Sequence, residues 1–252
     1  MRRAISLPIA ALVAAAALTA CSSSGKQATD TNTSSSQLKE PAAQTKTVSV
    51  RLAWSRIAKD DGGDTEVSYV ARVKNPSASP ASVAIDVRAL DKTGTIVGSS
   101  QETLPNIPAG ATFDFLGNLG GGLSASLTGT PAKLQISQNK DAFGQAGSVD
   151  NPMLTTSQLT LTKGSRDYMP VASPYAYDMT VKVTNSTQDA VSGGVTQQVV
   201  LYDAKGDVVG GGTGMSDNVP DNLPAGMSYR EEWTSIPAMA KAVRAVYTVW
   251  PG

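Results

Sequence analysis

The sequence predicts an all-β protein built as two tandem antiparallel β-sandwich domains. Apolar residues alternate with period two over most of the chain beyond residue 46, which puts them on one face of successive strands. A domain-sized segment occurs twice. Gly, Pro, Asn and Asp interrupt the alternation at short, regular spacing, as turns between many short strands do. No stretch carries a convincing helical stripe.

Three anchors mark the duplication. Asp91-Lys92-Thr93-Gly94-Thr95-Ile96-Val97-Gly98 returns as Asp203-Ala204-Lys205-Gly206-Asp207-Val208-Val209-Gly210, 112 positions later. Val73-Lys74-Asn75-Pro76-Ser77 pairs with Val183-Thr184-Asn185-Ser186-Thr187 at 110, and Pro108-Ala109-Gly110 with Pro224-Ala225-Gly226 at 116. A common order at nearly constant offset means duplication, and the period is far above that of solenoid repeats. Each copy is therefore expected to bury its own core, over 47–140 and 153–252.

In the first copy the strand-like sets run in order: Val48, Val50, Leu52 and Trp54; Val67, Tyr69, Ala71 and Val73; Val83, Ile85, Val87 and Ala89; Phe113 and Phe115; Leu134 and Ile136. The second copy gives Leu159 and Leu161; Tyr175, Tyr177, Met179, Val181 and Val183; Val195, Val199 and Leu201; then Val243, Ala245, Tyr247 and Val249. The Asp-x-x-Gly segments suit hairpin turns, with Asp bonding back to the turn backbone and Gly taking the positive φ. Pro-Ala-Gly marks a second turn in each copy.

Val199-Val200-Leu201-Tyr202-Asp203, with Lys205-Gly206 and later Leu223-Pro224-Ala225-Gly226, resembles the FxLYD domain, an immunoglobulin-like module of bacterial envelope proteins. Leu201, Tyr202 and Asp203 match, while Val199 stands where that family has Phe. In the first copy Val87, Ala89 and Leu90 replace the aromatic, Leu and Tyr, leaving Asp91 and Gly94 as the shared turn. The resemblance implies an immunoglobulin-like sandwich and an extracytoplasmic habit; it brings no catalytic residues.

The first 20 residues read as a signal peptide. Met1-Arg2-Arg3 is positive, Ala4 to Ala17 is apolar apart from Ser6, and Pro8 interrupts it. The stretch is too short and too alanine-rich for a spanning helix. Leu18-Thr19-Ala20-Cys21 resembles the lipobox of bacterial lipoproteins and holds the chain's only cysteine. That resemblance implies cleavage before Cys21 and a diacylglycerol on its thiol. Two acyl chains, at about 0.8 kcal/mol per buried methylene, hold stably where one is marginal. From Cys21 to residue 46 the chain is Ser-, Thr-, Ala-, Gln- and Asn-rich with Leu38 as its one large apolar side chain, so a disordered tether is expected. About 25 such residues separate their ends by roughly 25–30 Å on average and about 85 Å at full stretch.

Composition excludes much. Arg2 and Arg3 leave with the leader, so 19 of the 21 basic residues remain against 21 acidic ones, a net charge of −2 without a basic run. That argues against nucleic acid as a partner. With no histidine and the lone cysteine committed to lipid, Ser-His-Asp and Cys-His catalysis, His or Cys zinc sites and disulfides lack their residues. No catalytic residue, cofactor or metal ligand is expected.

Several motifs invite a weaker reading. Ser137-Gln138-Asn139-Lys140, Ser216-Asp217-Asn218 and Lys92-Thr93-Gly94 spell the three signatures of penicillin-binding enzymes, but in the wrong order and in different domains. Asp60-Asp61-Gly62-Gly63-Asp64 and Asp217 to Asn222 offer carboxylates without EF-hand spacing, which fits solvated loops. Trp233, Trp250, Tyr168, Tyr175, Tyr177, Tyr229 and Tyr247 enrich the second copy in aromatics, expected chiefly as core, with an exposed binding face as the other reading. Gly120-Gly121-Gly122 and Gly210-Gly211-Gly212 lack the Lys-Ser/Thr of a phosphate loop.

The expected function is a non-catalytic binding or structural module of the cell envelope. Acylated Cys21 would hold it to membrane lipid on the extracytoplasmic side, with an envelope protein or cell-wall component as partner. The alternative is a solute- or glycan-binding lipoprotein with a ligand in or between the domains, a deep polar cleft being the sign of it.

Overall fold

The computed structural model describes residues 47–59, 63–121, 127–142, 151–166, 173–192, 194–215 and 218–251. The leader, Cys21 and the tether lie outside them. The described residues are all-β, with antiparallel pairing throughout and no helix.

In the first copy β1 (Ser49–Lys59), β2 (Thr65–Lys74) and β5 (Thr112–Gly120) form one sheet in the order β1-β2-β5. β3 (Ala84–Leu90), β4 (Ile96–Thr103) and β6 (Lys133–Asn139) form a second, β4-β3-β6. The period-two sets of β2, β3 and β5 point into the space between these sheets: Val67, Tyr69, Ala71, Val73, Ile85, Val87, Ala89, Phe113 and Phe115 are all buried there. This is a β-sandwich core.

The second copy repeats the connectivity. Its strands are β7 (Thr155–Lys163), β8 (Tyr175–Thr184), β9 (Val191–Ser192), β10 (Val195–Tyr202), β11 (Val208–Met215), β12 (Asn222–Leu223), β13 (Ser228–Ala238) and β14 (Arg244–Pro251). Order β7-β8-β13 mirrors β1-β2-β5, and β11-β10-β14 mirrors β4-β3-β6. One pairing, Gly210 with Ala238, joins the two halves of this sheet. Tyr177, Met179, Val181, Val183, Val199, Leu201, Tyr247 and Val249 fill its core.

Two polar devices recur at equivalent positions. Asn75 and Asn185 are fully buried. The Asn75 amide donates to Ser79 O and Ile107 O at 2.9 Å, and its Oδ1 accepts from the Ser77 amide and hydroxyl at 3.1 and 2.7 Å. Asn185 does the same with Asp189 O, Leu223 O and Thr187. Each Asn thus ties the end of one strand to the loop that follows and to the Pro-Ala-Gly turn. At the hairpins, Asp91 Oδ1 accepts from the Thr93 and Thr95 amides at 2.8 and 2.9 Å, and Asp203 Oδ1 from those of Lys205 and Asp207 at 2.8 and 3.0 Å. Gly94 and Gly206 take φ of +92° and +86°, a region that side-chain-bearing residues rarely adopt. Bonds from Thr93 and Thr95 hold the Asp91 carboxyl below the usual carboxylate range.

Some sequence expectations for individual side chains are overturned. A β-bulge between Leu52 and Trp54 reverses the alternation of β1, so Trp54 lies opposite Val70 and packs on the outer face of its sheet, not in the core with Val50 and Leu52. Val243 precedes β14 and is 56% exposed, and Tyr175 at the start of β8 is 42% exposed. Trp250 belongs to the second copy by sequence, yet it packs into the first core, edge-on to Phe113 at 6.5 Å.

Asn75→Ala and Asn185→Ala are each expected to lower stability by about 2–4 kcal/mol, because each substitution removes a fully buried amide and all of its bonds to the backbone and to the following loop. Asp91→Ala, at an exposed turn, is expected to cost less. Urea denaturation of the three variants measures this, and closely matched losses for the two Asn variants are the outcome expected of a duplicated device.

Candidate functional site

The two copies are not separate bodies: residues Thr45–Gly252 make one compact unit. The outer face of β1-β2-β5 packs on the outer face of β11-β10-β14. Val70, Leu116, Val200, Tyr202 and Val208 are buried between them, with Ala53 and Trp54 at the margin. At about 1.5–3 kcal/mol for each fully buried large apolar side chain, an upper figure, this face rivals the whole stability of a typical domain.

Several polar groups in this interface are paired across it. Gln198, 1% exposed, accepts from Leu116 N at 2.9 Å and donates to Asp114 O at 2.7 Å, so one side-chain amide caps both backbone groups on the free edge of β5. Asp114 receives Arg72 through Nε at 2.7 Å and Nη2 at 2.6 Å, a bidentate pair, and the Tyr202 hydroxyl at 2.8 Å. Gly211 lies at a close approach of the copies: a Cβ there would stand 2.6 Å from Leu116 Cδ1. Further bonds cross at the rim, Arg56 Nη1 to Ser173 Oγ at 2.9 Å and Asn118 Nδ2 to Thr213 Oγ1 at 3.5 Å.

Beside this seam a crevice of about 580 Å³ opens between the copies. Arg51, Arg72 and Lys74 line one wall with Phe113 and Asp114; Tyr202, Arg244, Val246 and Thr248 line the other. Arg51 and Arg72 are direct cross-strand partners. Arg244 lies over the Tyr202 ring, 3.9 Å from its centroid. Asp114 is the single carboxylate in the lining and is already held by Arg72 and Tyr202. No carboxylate lies within 4 Å of Arg51, Lys74 or Arg244 among the described residues.

The sequence-derived candidates are dispersed. Cys21, Asp60, Asp61, Gly62, Gly122, Tyr168, Ser216 and Asp217 lie outside the described residues. Ser137 sits in β6 opposite Asp86, whereas Lys92-Thr93-Gly94 forms the turn beyond the far end of β3. Gly210 and Gly211 are strand residues at close crossings, not a phosphate loop. No group of three or more acidic or Cys side chains suited to a metal ion occurs among the described residues. Of the aromatics, Tyr177, Tyr247 and Trp250 are buried; Trp233 packs edge-on to Tyr247 at 6.4 Å, and Tyr175 is exposed.

Glu231, 2% exposed, is the one deeply buried carboxylate among the described residues, and its Oε1 accepts from Asn218 Nδ2 at 3.2 Å. The Tyr247 hydroxyl donates to Gln197 Oε1 in the same core. Burial first, then the negative charge of Glu231, pushes the Tyr229 phenol up to about 12, and burial raises Tyr247 further. These phenols are protonated at neutral pH.

A ligand in or between the domains was the alternative drawn from the sequence, but the residues that line the crevice were not among its candidates. A signal was present in the apolar pairs Tyr69-Val70 and Phe115-Leu116 and in the run Val199 to Tyr202, where both faces of a strand are apolar.

No family model matches this chain, and no curated protein does.

Because Gln198 serves two buried backbone groups, Gln198→Ala is expected to cost about 2–3 kcal/mol. Since the copies share a buried face, calorimetry and near-ultraviolet dichroism are expected to report one coincident transition, before and after the substitution. The alkaline limb follows from the phenols. Burial raises Tyr69, Tyr202 and Tyr247 above the ordinary value near 10, and the Asp114 charge adds to the shift at Tyr202. The folded state therefore holds these protons more tightly than the unfolded chain. Their contribution to stability is complete below about pH 10 and is lost as pH rises through the folded values. Tyrosinate absorbance from these residues should appear together with unfolding, as a pH-jump titration with parallel dichroism would show.

Proposed function

We propose that the protein is a lipid-anchored, extracytoplasmic binding module of the cell envelope that works without catalysis. The observation that carries this reading is Leu18-Thr19-Ala20-Cys21, with its lone cysteine at the end of a short apolar leader. Downstream of it stands a Ser/Thr-rich stretch and then an all-β unit whose copies are joined by a dry seam. Such a unit presents a fixed surface at a distance from the membrane. The FxLYD resemblance of Val199 to Asp203 and the Pro-Ala-Gly turn supports an immunoglobulin-like architecture and the same location.

Histidine is absent from the sequence, and the two most buried carboxylates among the described residues are engaged in hydrogen bonds. Asp114 is bound by Arg72 and Tyr202, and Glu231 by Asn218. This supports binding over bond-making chemistry. The crevice between the copies favours a second reading, a small solute or glycan unit held at the seam, since its volume falls in the range of small-molecule sites.

In cells carrying Cys21→Ala, the protein is expected to lose its acyl modification and to leave the membrane fraction. Fractionation with mass spectrometry of the N-terminal peptide checks both points. Full membrane retention of the variant, or a free thiol in the mature parent, would falsify anchoring through Cys21.

A further inference from the structure

We infer that the crevice between the two copies is a binding site for an oxyanion, a phosphate or carboxylate group carried on a ligand of sugar size. This deepens the binding-module reading and rests on it.

The lining is rich in positive charge. Arg51, Arg72, Lys74 and Arg244 converge on about 580 Å³ of space lined by one carboxylate, with Asp207 acting on Arg72 from outside the lining, in a chain with 21 basic and 21 acidic residues. That carboxylate, Asp114, is spent on Arg72 and Tyr202, and Arg51, Lys74 and Arg244 line the same cavity with no carboxylate within 4 Å among the described residues. They come from three strands, β1, β2 and β14, and from both copies. Local sequence clustering does not place them there.

The crevice also breaks a local rule of sheet pairing. Like charges directly opposite on neighbouring strands destabilise a sheet, yet Arg51 is the cross-strand partner of Arg72. Position Ser49 opposite Lys74 extends the same face. Asp114 offsets one guanidinium of the pair and leaves the other. Unfavourable placements of this kind concentrate where a ligand supplies the missing charge.

Two of the cations are preorganised. The bidentate bond to Asp114 sets the Arg72 fork, and Arg244 is laid on the Tyr202 ring, so two guanidinium planes are already oriented. Guanidinium matches carboxylate and phosphate oxygens in pairs. Thr112 and Thr248 add hydroxyls, and Val246, 37% exposed, adds an apolar surface suited to a sugar face.

The full chain, purified in an uncharged detergent, is titrated calorimetrically at low ionic strength with inorganic phosphate, a hexose 6-phosphate, a hexuronate and the neutral hexose. Saturable binding of one or more anions, absent for the neutral hexose and weakened by added salt, is expected. Phosphate and hexose phosphate alone would assign a phosphate ligand; the hexuronate alone would assign a carboxylate.

Arg51→Gln and Lys74→Gln are each expected to weaken binding about tenfold or more. Arg230→Gln, on an exposed face of the second copy, is expected to leave it unchanged. Both side chains are exposed, so the variants keep the fold, and relief of the Arg51–Arg72 opposition should leave unliganded Arg51→Gln melting no lower than the parent. No saturable anion binding, equal binding of the neutral hexose, or affinity unchanged in both crevice variants would overturn the assignment. Fractionation of Cys21→Ala reads the membrane anchor separately, so failure here leaves the anchoring result standing.

Discussion

Val70 and Leu116 from one sheet face meet Val200 and Tyr202 from another, out of water, and the rest of the molecule is arranged around that contact. Without it β1-β2-β5 and β11-β10-β14 would each show solvent a greasy outer face, and the free edge of β5 would present unpaired backbone groups. The apolar side chains supply most of the attraction. Gln198, Asp114, Arg72 and Tyr202 supply the register, because each bond can form in only one alignment of the two copies. Trp250 completes the joint by closing the end of the neighbouring core.

The contact joins unlike faces. By the duplication, Val70, Leu116, Arg72 and Asp114 correspond to Thr180, Glu232, Lys182 and Arg230 in the second copy. Likewise Gln198, Val200 and Tyr202 correspond to Asp86, Arg88 and Leu90 in the first. A head-to-tail contact between identical copies would propagate without closing. Here the two faces outside the seam carry Asp86 and Arg88 in the first copy and Lys182, Arg230 and Glu232 in the second, so they do not repeat the apolar contact. The difference between the repeats therefore has a physical account: the face of each copy that enters the seam is apolar at these positions, and its counterpart in the other copy is largely polar.

Tyr202 shows how one motif residue links fold to site. In Leu201-Tyr202-Asp203 the Leu points into the core, the Tyr points out to the seam and the Asp closes the hairpin. In the first copy Ala89, Leu90 and Asp91 keep the core and the turn but hold no phenol, and there the outer face meets no partner copy. Binding an anion at the seam would draw on the same residues that align the copies, with Arg72 and Tyr202 serving both.

Alternation, turn residues and repetition are local or periodic signals, so the strand content, the equivalence of Asn75 with Asn185, the Asp-x-x-Gly hairpins and most core positions were legible from residue order. The bulge that turns Trp54 outward was not, since one inserted residue reverses a strand's faces without changing its composition. Nor was the docking of the two copies, or the convergence of Arg51, Lys74 and Arg244 from strands far apart in the chain. Period-two patterning says which residues share a face; it does not say what that face meets. That depends on long-range packing, where burying Val70 against Val200 outweighs the polar character of their neighbours and brings distant cations to one crevice.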